Sequence, residues 1–147
     1  MSLITHKKAH LDYEILEQYE AGIELLGHEV KSLRQKHGKL EGAHIIVRGG
    51  EAYIVGMSIP AYQPANTDKE YEPDRSRKLL LTKAEIAKLA EAESQKGLTV
   101  VPLSVYNKGR VLKISLGIAR GKKKYDKRAA LKKRDVDRDI RRTLKNQ

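Results

Sequence analysis

The charge on this chain is divided so unevenly that only part of it can build a core. Residues 117–147 hold 13 Lys/Arg against 4 Asp/Glu, a net of +9, whereas the preceding 116 residues hold 17 against 15, a net of +2. A segment that cationic cannot bury enough apolar surface to offset its own ordering entropy. Folding is therefore expected within residues 1–118, and residues 119–147 read as a basic tail suited to a long polyanion.

The body must make its core without Phe or Trp, so Leu, Ile, Val and Ala do the packing with some of the seven tyrosines. The absence of Cys removes disulfides, thiolate metal sites and cysteine nucleophiles together. The first ten residues contain no apolar signal core, and no run approaches membrane-spanning length. These features point to a cytoplasmic protein with no membrane partner. A net charge of +11 favours nucleic acid over acidic protein or anionic lipid as its partner.

Most of the body alternates with period 2. Tyr13, Ile15, Tyr19, Ile23 and Leu25 mark strands over residues 12–19 and 22–26. Gly49-Gly50 reads as a type I′ turn that pairs Arg48 with Glu51 and Val47 with Ala52. That register puts Ala43, Ile45, Val47, Ala52 and Ile54 on one apolar face. A second hairpin runs from Leu98 to Tyr106 and from Arg110 to Ile118 across Asn107-Lys108-Gly109, with Val101, Leu103 and Val105 facing Leu112, Ile114, Leu116 and Ile118. Pro102 cannot donate to a ladder, which places its strand at an edge or at a bulge.

Two helices are expected among these strands. Thr82 and Glu85 form a capping box that opens a helix burying Ile86, Leu89 and Ala90 and ending by Gly97. A shorter helix covers residues 28–35 with Val30 and Leu33 inward, and residues 58–77 form a long irregular connection. About six strands with one or two inserted helices suggest a small closed barrel. In the tail, residues 126–144 have only Ala129, Val136, Ile140 and Leu144 as an apolar stripe, too thin to hold a helix on the body.

Catalytic and metal signals fail on inspection. His28-Glu29 begins a zinc-protease pattern, but Ser32 stands where the second ligand belongs. His6 and His10 fall in an N-terminus expected to be unstructured and solvated, and Gly121-Lys122-Lys123 lacks the rest of a phosphate loop. No catalytic residue, cofactor or metal is expected. Binding signals are better. Arg75, Arg77 and Lys78 lead into Leu79-Leu80-Leu81, on a loop suited either to phosphate contacts or simply to solvent. Lys122, Lys123, Lys124, Lys127 and Arg128 surround Tyr125 and Asp126, and a lone aromatic among cations can stack on a base. Glu20 reads as a surface turn residue. The residues alone thus describe a basic, mainly β, RNA-binding protein. A structural ribosomal protein and a carboxylate-metal nuclease remain as alternatives.

Several segments narrow this further. They are Asp12-Tyr13, Tyr19-Glu20-Ala21-Gly22-Ile23, Gly27-x-Glu29-Val30-Lys31-Ser32-Leu33-Arg34, Arg77-Lys78-Leu79-Leu80-Leu81, the run Lys96 to Leu103, and Ala119-Arg120-Gly121-Lys122-Lys123 followed by Asp126-Lys127-Arg128. In order and spacing the chain closely resembles the bacterial tmRNA-binding proteins, the small protein B family of trans-translation. The resemblance implies a Greek-key barrel of the oligonucleotide-binding (OB) type, with a C-terminal tail that is disordered alone and helical when bound. It implies no enzyme activity. Such a protein, acting as a monomer, binds the tRNA-like domain of tmRNA. Alanyl-tRNA synthetase and elongation factor Tu are reached indirectly through that RNA, and stalled ribosomes are rescued. By matching positions, Glu20 and Leu80 belong to the tmRNA face, with Lys7, Lys8, Lys31, Arg77 and Lys78 around them. Asp126, Lys127 and Arg128 act near the decoding centre, and the following residues enter the vacant mRNA channel. His6, Leu11, Thr82 and Tyr125 depart from the residues frequent in the family at their positions.

Overall fold

The computed structural model describes residues 2–62 and 70–122. Seven strands form one antiparallel sheet: β1 (Ser2–Thr5), β2 (Tyr13–Ile23), β3 (His44–Arg48), β4 (Glu51–Val55), β5 (Arg77–Leu80), β6 (Leu98–Lys108) and β7 (Val111–Gly121). Three helices accompany them: α1 (Ala9–Asp12), α2 (Gly27–Arg34) and α3 (Lys83–Ser94). The strand order is β1-β6-β7-β2-β5-β4-β3. β3 returns against β6, and α3 packs on both, so the sheet curls into the expected OB-like barrel.

The first hairpin has the register read from the sequence, with Arg48 opposite Glu51 and Val47 opposite Ala52. Gly49 and Gly50 both take positive φ, 59° and 76°, as the tight turn requires. Ala43, Ile45, Ala52 and Ile54 are buried in the main core, and Val47 packs against it. The capping box of α3 is also present, with Glu85 N donating to Thr82 Oγ1 at 3.2 Å and Thr82 N donating to Glu85 Oε1 at 3.0 Å.

Pro102 sits at a bulge, the second of its two expected settings: its strand lies inside the sheet, between β1 and β7, and the bulge separates it from Ser104. Several other expectations need correction. The extra residue at the bulge reverses the alternation. Val100 and Val105 therefore enter the main core with Leu112, Ile114, Leu116 and Ile118, while Val101 and Leu103 join a second cluster with Ala9 and Ala119. On α3 it is Ala92, not Ala90, that is buried beside Ile86 and Leu89. The N-terminus is structured: β1 pairs with β6, and His6 is buried with Nδ1 3.0 Å from the Pro102 carbonyl. Finally, β7 continues to Gly121, and Lys122 N donates to the Asp12 carbonyl at 2.9 Å. The sheet therefore takes residues that charge alone assigns to the tail.

Candidate nucleic-acid interface

Strand register assembles a surface from residues far apart in sequence. On the outer face, one row runs Thr5, Ser104, Ser115, Glu20 across β1, β6, β7 and β2. The adjacent row runs Tyr106, Lys113, Gly22, Leu80 across β6, β7, β2 and β5. Their neighbours Val105, Ile114, Ala21 and Leu79 point inward and are buried. Gly22 has a specific task here. A Cβ at that position would lie 3.2 Å from Leu80 Cβ and 3.3 Å from its Cδ1, so glycine lets the leucine lie across the strand.

Leu80 and Val111 are 52% and 55% exposed and share one surface rather than standing singly. They border a groove of about 310 Å³ whose walls include Leu25 and Val30, with Arg34, Arg110 and Lys113 supplying positive charge. Arg34 Nη2 donates to the Arg110 carbonyl at 3.1 Å, tying α2 to the β6–β7 turn. That turn is the two residues Gly109-Arg110 because Lys108 pairs with Val111. An apolar floor with a cationic rim can take a base on the floor and phosphates on the rim.

Glu20, which reads as a turn residue in the sequence, lies inside β2 opposite Ser115, at the edge of this surface. One carboxylate oxygen accepts from the Tyr106 hydroxyl and the other from Lys108 Nζ at 2.9 Å. Those two hydrogen bonds, Tyr106 first, hold its carboxyl below the usual carboxylate range. Lys78, on the same side of β5 as Leu80, lies 3.5 Å from Glu51.

The other expected contacts are not all in one place. Lys31 is exposed, with Nζ 6.0 Å from the centre of the Tyr62 ring. Lys7 and Lys8 are exposed, but Lys7 lines a different hollow, shared with Lys36 and Lys39 beside β1. Lys122 donates its Nζ to the His10 carbonyl at 2.9 Å. Lys123, Lys124, Tyr125, Asp126, Lys127 and Arg128 lie outside the described residues.

Arg77 cannot serve as a surface contact, because its side chain is fully buried. The loop reading failed because Arg77 begins a strand and points inward, opposite Ile54. Its guanidinium donates to Glu29 Oε2 from Nε at 2.9 Å and from Nη2 at 2.6 Å, and to the carbonyls of Met57 and Pro73 at 2.8 Å each. Glu29, on the first turn of α2, also accepts from Arg75 Nη2 at 2.5 Å, the Tyr71 hydroxyl at 2.9 Å and Leu26 N at 2.8 Å. Burial pushes the Glu29 carboxyl up, but Arg75, the Leu26 amide and Arg77 outweigh it and bring it down to about 2. The buried pair joins α2 to β5, the elements that carry Arg34 and Leu80. Sequence reasoning missed it, and missed Tyr106, Lys108 and Lys113 as well. Period-2 alternation along β6 and β7 puts these three on an exposed face, but only the pairing of β2, β7 and β6 brings them beside Glu20.

Among the described residues no group of three or more His, Cys, Asp or Glu is placed to hold a metal, and no helix is long and apolar enough to cross a membrane. The profile of the SmpB protein family matches residues 3–146. The chain belongs to that family. It is 49% identical to the SsrA-binding protein of Elusimicrobium minutum, over 97% of this chain and 90% of that protein. With the SsrA-binding protein of Chlorobaculum tepidum it shares 48% identity, over 99% of this chain and 92% of the relative. A solved chain from "tmRNA-SmpB: a journey to the center of the bacterial ribosome" superposes with a TM-score of 0.70 at 42% identity, covering 87% of this chain and 93% of that one. In this SmpB family member, exposed apolar and cationic side chains share the groove beside Leu80.

Proposed function

We propose that this protein binds tmRNA in trans-translation, gripping the tRNA-like domain with the outer sheet face and delivering it to stalled ribosomes. The carrying observation is the match to the SmpB family over nearly the whole chain, alongside likeness to a structure that contains tmRNA and SmpB. The sheet face supports the reading. Leu80 and Val111 offer apolar contact, and Arg34, Arg110, Lys113 and Lys108 offer counter-charge. No catalytic step belongs to this role. Alanyl-tRNA synthetase and elongation factor Tu take part through the RNA.

The tail has a separate part in the proposal. A ribosome without a codon offers no base pairing to read, so recognition has to depend on an empty RNA-lined channel. A cationic arm can enter that channel and order there, whereas a channel filled by message excludes it. Lys122, Lys123, Lys124 and Tyr125 would lead the arm in. Asp126, Lys127 and Arg128 would lie near the decoding centre, with the residues from Ala129 onward in the mRNA path.

Sequencing the RNA that co-purifies with the full-length chain from bacterial lysate tests the first part, with strong tmRNA enrichment expected. Recovery of ribosomal RNA alone, in proportion to all ribosomes, would favour a structural ribosomal protein instead. Deleting residues 126–147 tests the second. Affinity for the tRNA-like domain should stay near wild type while tagging of stalled chains is lost, and equal loss of both would contradict the division of labour.

A further inference from the structure

A carboxylate on a phosphate-seeking surface should repel the ligand, so Glu20 requires a reason to be there. Both its oxygens are turned to protein partners, the Tyr106 hydroxyl and Lys108 Nζ, which lie 86 and 88 residues away in sequence. Tyr106 belongs to the same transverse row as Lys113, Gly22 and Leu80, and Lys108 opens the turn that borders the groove. We propose that Glu20 is a positioning residue, clamping Tyr106 and Lys108 into a contact pair that holds one nucleotide of the bound RNA at the groove rim.

Lys108 sits beside a tight turn with its side chain 63% exposed, and unheld it would sample many rotamers. Fixing it beforehand removes an ordering cost from RNA binding. Tyr106, with its hydroxyl committed to Glu20, offers the open part of its ring to a base, and any base has a face to stack on. The negative charge of Glu20 is countered locally by Lys108, with Lys113 nearby, so it presents little repulsion to phosphate. Stability does not account for the cluster, since ion pairs this exposed contribute little to folding.

The inference rests on the proposed tmRNA reading, and its test separates the two. Affinity for a transcribed tRNA-like domain of tmRNA is measured across salt concentrations for the full-length wild type, Glu20→Gln, the double variant Tyr106→Phe/Lys108→Met, and all three changes together. Unfolding midpoints of the four should agree. Glu20→Gln is expected to weaken binding about fivefold or more and to flatten the log–log salt slope by about 0.7–0.9, as one lost phosphate contact would. Added to the double variant, it should cost less than half of its effect in wild type. Binding that Glu20→Gln strengthens or leaves unchanged overturns the proposal. So does a cost in the double variant of half or more of that in wild type, because Glu20 would then act on the RNA itself. Failure of the wild type to bind the RNA would remove the functional reading and this inference together.

Discussion

Glu20 and Glu29 lie nine residues apart, and each holds a tyrosine and at least one basic side chain. Glu20 takes Tyr106 and Lys108; Glu29 takes Tyr71, Arg75 and Arg77. The chemistry is nearly the same, but the surroundings are opposite. Glu29 and Arg77 have no exposed side-chain surface, whereas the Glu20 and Lys108 side chains are 38% and 63% exposed. In the interior, removing one partner leaves an uncompensated charge with no water to receive it. At the surface, water replaces a lost partner at small cost, and the arrangement is free to serve a ligand. Burial, rather than residue type, separates a fold-holding ion pair from a candidate binding pair.

The largest effect is expected at the buried pair. Arg77→Met should destabilise the protein by about 3–5 kcal/mol in denaturant unfolding, because Glu29 would remain buried without its one fully buried cationic partner. A loss below about 1 kcal/mol would mean that water reaches Glu29, and the contrast would fail. Acid titration probes the same buried carboxylate. Glu29 is held at about 2 against an ordinary 4.5, so the unfolded chain takes up its proton at higher pH than the folded one. The stability it contributes is present above pH 4.5 and is lost as pH falls from there toward 2. Glu29→Gln should be less stable at neutral pH and should lose less across that window.

Smaller effects are expected at the surface. Gly22→Val should displace Leu80 and lower RNA affinity by about tenfold, the scale of one lost base contact, with the tRNA-like domain as the probe. Lys78→Ala should leave unfolding within about 0.5 kcal/mol of wild type and flatten the salt slope by about 0.7–0.9. Arg77 and Lys78 are adjacent in sequence, so that pair of outcomes separates interior from surface directly.

The hairpin at Gly49-Gly50 and the capped helix at Thr82 were legible because their signals are local: two glycines able to take positive φ, and a hydroxyl three residues before a carboxylate. What failed was long-range. Nothing near Pro102 announces how a bulge there redistributes Val101 and Leu103, since the outcome depends on β7 opposite. Arg77 looked like its neighbour Lys78 because the buried carboxylate that claims it lies 48 residues earlier. The Glu20 surface was reached by resemblance, but its partners Tyr106 and Lys108 became visible only once β2, β7 and β6 were set side by side. His6 looked solvated because its partner, the Pro102 carbonyl, is equally remote.

The outer face where β6, β7, β2 and β5 meet is the proposed seat of the RNA. Amide shift perturbation by NMR, on isotopically labelled full-length protein titrated with the tRNA-like domain, addresses it directly. Changes should concentrate at residues 20–22, 78–80 and 106–113, leaving α3 nearly unmoved. Perturbation centred on α3, with those three segments unaffected, would place the RNA elsewhere.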